Sequence, residues 1–94
     1  MKDLKNSLEV LGIELRTEKD DLVGLWQQSL LPDAEYLIPM EIGWLAVDNT
    51  SGDCFMEDFP SLSLAVGWLK GDFEIADYFE NKEKYRDYTY GGLK

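Results

Sequence analysis

Three consecutive stretches decide the fold: Glu41-Ile42-Gly43-Trp44-Leu45-Ala46-Val47, then Asn49-Thr50-Ser51-Gly52, then Cys54-Phe55-Met56-Glu57-Asp58-Phe59. The first and third are rich in strand formers, and the second is a cluster of turn residues. Together they predict a β-hairpin, with Gly52 supplying a left-handed turn residue. The loop holds three or four residues. With four, Asp48 faces Asp53, and Trp44, Ala46 and Phe55 share a face with Glu57. With three, the faces regroup, because a slip of one residue reverses a strand. Under either register both faces carry large apolar groups, so the sheet is covered on both sides or leaves aromatic surface for a partner.

The flanking sequence supplies the cover. Tyr36-Leu37-Ile38 predicts a third strand, set off from the hairpin by Pro39, and Ile13-Glu14-Leu15 alternates as a brief strand or a linker. Leu4, Leu8 and Leu11 recur at helical spacing from about Asp3 to Leu11, with Gly12 as a stop. Thr17 is an expected N-cap for a second helix, with acids in its first turn. Leu22, Leu25, Trp26 and Leu30 form one helical face, on which Trp26 is expected as a core anchor, and Pro32 ends the helix. Pro60-Ser61 opens a third helix with Leu62, Ala65, Val66 and Leu69 inward and Gly71 beyond its end. Asp72 caps a fourth that turns Phe73, Ala76 and Phe79 inward, and Glu80 and Lys84 form an i,i+4 pair. Tyr85, Tyr88 and Tyr90 lead into a tail at Gly91-Gly92-Leu93-Lys94. The expectation is a single α+β domain over residues 1–94: a central β-hairpin or small antiparallel sheet packed by three to four short helices. The chain's 94 residues, 45% of them hydrophobic, suit one core and no more.

Charge is the other prominent feature. Nineteen Asp and Glu against nine Lys and Arg give a formal charge of -10. The imbalance is local. Residues 1–19 balance their acids and bases, and residues 70–94 nearly do. Residues 20–69 hold Asp20, Asp21, Asp33, Glu35, Glu41, Asp48, Asp53, Glu57 and Asp58 with no base at all. A soluble surface normally intersperses both signs, and a field of one sign serves solubility or steers a cationic partner.

Several functions are disfavoured by the same residues. Phosphate-backbone binding needs clustered cations, and an anionic membrane surface repels this charge. There is no histidine, which removes the usual base near neutral pH and the commonest metal ligand. One cysteine, Cys54, allows no intrachain disulfide and no cysteine zinc site. It is expected to be a small buried hydrophobe. Asp48-Asn49-Thr50-Ser51-Gly52-Asp53 fails as an EF-hand loop, because Gly52 at the sixth position puts Val47 at the first. There is no Gly-x-Ser-x-Gly elbow and no phosphate-cradling glycine loop. Glu57 and Asp58 are strand neighbours and point to opposite faces, which defeats an acid/base pair. No catalytic residue, cofactor or metal is expected, and no membrane segment or targeting signal, so the expected setting is the cytoplasm, that of a host cell if a phage encodes the chain.

Protein binding remains. In size, charge and its base-free stretch 20–69, the chain resembles the small acidic DNA-mimic inhibitors that phages and mobile elements make against restriction or CRISPR systems. The resemblance implies a non-catalytic protein that occupies the cationic groove of a nucleic-acid enzyme. The expected partner-binding residues are Asp33, Glu35, Asp48, Asp53, Glu57 and Asp58. An immunity or antitoxin-like plug uses such charges differently, concentrating Asp48, Asp53, Glu57 and Asp58 around the aromatic anchors Trp44 and Phe55. A structural or adaptor domain instead uses Tyr78 to Tyr90 with Lys82, Lys84 and Arg86.

Overall fold

The computed structural model describes residues 4–91 and 93. The described chain is α+β: a four-stranded mixed sheet with four α-helices and one 3₁₀ turn. The order along the chain is α1 (Leu4–Val10), β1 (Ile13–Leu15), α2 (Lys19–Gln27), β2 (Glu35–Pro39), β3 (Trp44–Asp48), β4 (Phe55–Phe59), α3 (Leu62–Leu69), α4 (Ile75–Glu80) and the 3₁₀ turn Lys82–Tyr85. The strands lie in sheet order β1-β2-β3-β4, with β1 parallel to β2 and the others antiparallel.

Side-chain alternation divides the sheet into two cores. One face carries Ile13, Leu37, Ala46 and Phe59 under α1, α3 and the C-terminal aromatics. The other carries Tyr36, Ile38, Leu45 and Val47, packed with Leu22 of α2 and Leu31. Both faces are therefore covered, the first of the two outcomes the double apolar patterning allows, although Phe55 stays exposed. The first face is closed by an aromatic cluster in which Phe59, Phe73, Tyr78, Tyr85 and Tyr88 stack at centroid separations of 4.9–6.2 Å.

The hairpin forms with a longer loop than expected. Asp48 pairs with Phe55 and Trp44 with Phe59, so the loop runs over residues 49–54 and Asp48 does not face Asp53. This register differs by two residues from the four-residue loop, and a shift of two preserves faces. Trp44, Ala46, Phe55 and Glu57 thus do share a face. The long loop is held from within. Asp48 Oδ1 accepts from the Thr50 N–H at 3.0 Å and its hydroxyl at 2.6 Å, and the Gly52 N–H donates to the Asn49 carbonyl at 3.0 Å. Gly52 adopts φ +84°, which a side chain would strain.

Several helix ends also differ. Asp3 lies outside the described residues. α2 is capped at Glu18, not Thr17, with no side-chain cap bond. It closes before Pro32, through Ser29 at φ +59° and the 2.8 Å bond from the Leu30 N–H to the Leu25 carbonyl. Leu30 consequently leaves the helix and stands 61% exposed. Trp26 is no core anchor: it is 39% exposed, and its indole N–H donates to the Gly52 carbonyl at 3.1 Å. α4 begins after Glu74, not Asp72, so its inward residues become Phe73, just before it, and Tyr78. Ala76 and Phe79 face outward. Since α4 ends at Glu80, Lys84 pairs with Asp77 at 3.2 Å and not with Glu80. Ser61 and Gly71 do bound α3, with Ser61 Oγ accepting the Leu64 N–H at 3.2 Å and Gly71 at φ +82°.

The C-terminal segment is part of the core. Ser63 is buried within α3, accepts the Tyr90 N–H at 3.0 Å and donates to the Leu93 carbonyl. The Tyr88 hydroxyl donates to Asp72 at 2.6 Å. Gly92 and Lys94 of the expected tail lie outside the described residues. Among the described residues, no helix is long and apolar enough to cross a membrane.

Candidate functional site

β2 starts where β3 ends, so their register sets Glu35 directly opposite Asp48 on one face of the sheet. Phe55 completes the row on β4. Two loops meet over this end. Asn49 is buried, and its side-chain amide donates to the Leu31 and Pro32 carbonyls at 3.3 and 3.2 Å while its backbone N–H donates to Ala34 at 2.9 Å. Those bonds hold Asp33, which lies between Pro32 and Ala34, against the loop that carries Asp53. Trp26 ties the end of α2 to the same loop through Gly52. The fold thus brings Asp33, Glu35, Asp48 and Asp53 to one end of the sheet, beside Phe55, which is 57% exposed.

These four carboxylates are not equivalent. Asp33 and Asp53 are exposed, and Asp53 accepts from the Ser51 hydroxyl at 3.0 Å. Asp48 is half-buried and engaged by Thr50. Glu35 is the most enclosed: Lys70 Nζ makes an ion contact with Oε1 at 2.7 Å, outside hydrogen-bond angles, and donates to the Leu11 carbonyl at 2.6 Å. Among the described residues Glu35 is the one carboxylate of the base-free stretch that has an ion-pair partner. Lys70 is thereby occupied, and among the described residues Asp33, Asp48 and Asp53 have no ion-pair partner.

Glu57 and Asp58 lie further along β4, the edge strand, and point to opposite faces. Glu57 is half-buried on the α3 side, and burial, with the neighbouring Asp58 charge, pushes its carboxyl above the ordinary value. Asp58 is exposed on the α2 side. Glu41 sits at the turn between β2 and β3, at the far end, and Asp20 and Asp21 are in the first turn of α2. The nine carboxylates therefore do not share one surface: four lie at one end of the sheet, two divide across β4, and three stand elsewhere.

The C-terminal aromatics are spent on structure. Tyr78 and Tyr85 are buried, and the Tyr85 hydroxyl donates to Asp77, which also receives Lys84 and Asn81 and is held below the usual carboxylate range by those donors, Tyr85 first. Arg86 pairs with Glu83 at 2.9 Å, and Lys82 lies over the Tyr78 and Phe79 rings. Two contributors were hidden from sequence reasoning. Asn49 reads as an ordinary turn residue, and nothing local marks it as buried. Lys70 reads as a helix-end charge, and its contacts lie 35 and 59 residues away.

Cys54 is half-buried at φ +55°, and burial raises its thiol above the ordinary value, which disfavours the reactive thiolate. Among the described residues, no group of three or more Cys, Asp or Glu is placed to hold a metal ion. No family model, curated protein or solved structure matches this chain.

Proposed function

We propose that this protein is a non-catalytic acidic inhibitor that docks its acidic sheet end onto a basic nucleic-acid-processing protein and blocks its cationic site. One observation carries the reading: Asp33, Asp48 and Asp53 lie at one end of the sheet with the exposed Phe55 and have no ion-pair partner among the described residues, while Lys70 is held by Glu35 and Leu11. Unpaired carboxylates around an apolar anchor give a cationic partner both a steering field and a desolvated contact. The division of the nine acids favours a concentrated plug over an extended imitation of a nucleic-acid backbone, which carries one charge per ~1.7 Å of duplex axis.

The test is capture of partners from lysate by the wild-type protein and by the double variant Asp33→Lys, Asp53→Lys. The expected result is a nucleic-acid enzyme retained by the wild type, released by salt, displaced by duplex DNA and lost by the variant. Equal retention by both proteins overturns the reading.

A further inference from the structure

The sheet has two edges, and they are finished differently. β1 is three residues long, and the next residue, Arg16, turns its N–H to the Leu37 carbonyl at 2.8 Å. Short edges with a cation close by resist further pairing. β4 is five residues long and is the terminal strand on the other side. Among the described residues, no hydrogen bond beyond the β3 ladder engages the backbone of Phe55–Phe59. Its outward N–H and C=O groups are left for solvent or for another strand.

The side chains along this edge say which strand fits. In antiparallel pairing with a second copy about the strand centre, Glu57 meets Glu57 and Met56 meets Asp58. Like charges directly opposite destabilise a pair. In that register the edge opposes self-pairing while its backbone remains open. A cationic strand meets the reverse situation. Glu57 and Asp58 sit at consecutive positions on opposite faces, and Phe55 offers apolar surface two residues before Glu57 on the Glu57 face. The strand itself and the whole of residues 20–69 carry no base.

We propose that the free edge of β4 takes up an extended basic segment of the partner as a fifth strand. Two consecutive cations of that segment lie against Glu57 and Asp58, and an apolar residue two positions away covers Phe55. Main-chain bonds supply affinity, and the alternating side chains supply selectivity. This rests on the acidic-docking reading and names how that docking is made.

The probe is the octapeptide Thr-Val-Thr-Lys-Arg-Thr-Val-Thr, whose near-palindromic pattern suits parallel or antiparallel addition. Two further versions carry N-methyl groups on one or the other alternate set of peptide nitrogens, which leaves every side-chain charge in place. An added strand uses only one set. The expected result is that one methylated version binds at least tenfold more weakly than the parent while the other stays within threefold. The β4 amides should become protected from hydrogen exchange on binding. Equal, salt-sensitive binding of all three peptides overturns strand addition but leaves charge-driven docking intact. No binding of the parent also overturns strand addition, and the lysate capture decides the docking reading separately. Concentration-dependent protection of β4 without peptide would assign the edge to a second copy and overturn the proposal.

Discussion

The Tyr88 ring occupies the space a side chain on Gly67 would need: a Cβ built there stands 2.8 Å from two of its ring carbons and closer still to its hydroxyl. Gly67 is buried in the interior of α3, where alanine ordinarily improves a helix by roughly 1 kcal/mol. Here the added methyl overpacks a closed site, at a cost of about 1–3 kcal/mol. Gly67→Ala should therefore lower the melting temperature, the opposite of the usual helix rule. Tyr88→Ala should cost less in the Gly67→Ala background than in the wild type, as a thermal-denaturation cycle over the four proteins will read.

Ser63, one turn before Gly67, fastens the same segment. Its buried hydroxyl serves the Tyr90 N–H and the Leu93 carbonyl together, so Ser63→Ala leaves both groups without that partner. The expected cost is about 1–3 kcal/mol. The loss should be local: hydrogen exchange at the Tyr90 amide should quicken more than at the amides of α3 itself. Uniform quickening would mean that the serine supports the whole helix and not the clasp.

What the sequence made legible follows from how local each interaction is. The strand formers of Tyr36–Ile38 and Trp44–Val47 are runs of neighbouring residues, so the strands and the apolar character of both sheet faces could be read directly. Ser61 and Gly71 act within one turn of α3 and were read correctly. The loop of the hairpin was misjudged because Asn49 leaves the expected turn to bond Leu31, Pro32 and Ala34, a demand set by another part of the chain. Trp26 and Phe79 were expected inside on periodicity alone. Trp26 falls in the last turn of α2, where its indole is drawn to the Gly52 carbonyl, and α4 starts only after Glu74, which leaves Phe79 on its outer side. The convergence of Asp33, Glu35, Asp48 and Asp53 depends on register and on loop contact, neither of which appears in a linear list of charges.

Lys70 makes the acidic end tolerable at its most enclosed point. Its ammonium stands between the Glu35 carboxylate and the Leu11 carbonyl, with side-chain exposures of 25% for Lys70 and 13% for Glu35. Lys70→Met should cost about 1–3 kcal/mol, because it leaves a largely desolvated carboxylate without compensation. Adding Glu35→Gln should recover part of that loss. A coupling of about 0.5–3 kcal/mol between the two changes is expected from urea denaturation of the four proteins. Simple additivity would show that the contact contributes nothing to folding.

The pH dependence should separate two carboxylates of opposite behaviour. Glu57 has its folded pKa raised above the ordinary 4.5 by burial and by Asp58, so the folded state binds its proton more readily than the unfolded chain. Its contribution favours folding at pH below the unfolded value and is lost as pH rises through the folded one. Glu57→Gln removes that penalty, and should raise the melting temperature at pH 7 by an amount that shrinks as pH falls through the raised folded value toward the unfolded one. Asp77 is held below its ordinary 3.8 by Tyr85 and Lys84, so its contribution is present above that pH and lost as pH falls through the depressed value. Asp77→Asn should therefore lower the melting temperature at pH 7, with the deficit closing in stronger acid than the Glu57→Gln gain does. Melting curves of the three proteins from pH 7 downward will read both differences. If the Glu57→Gln gain persists unchanged below pH 4, desolvation of the charge is not its cause, and the gain must come from packing.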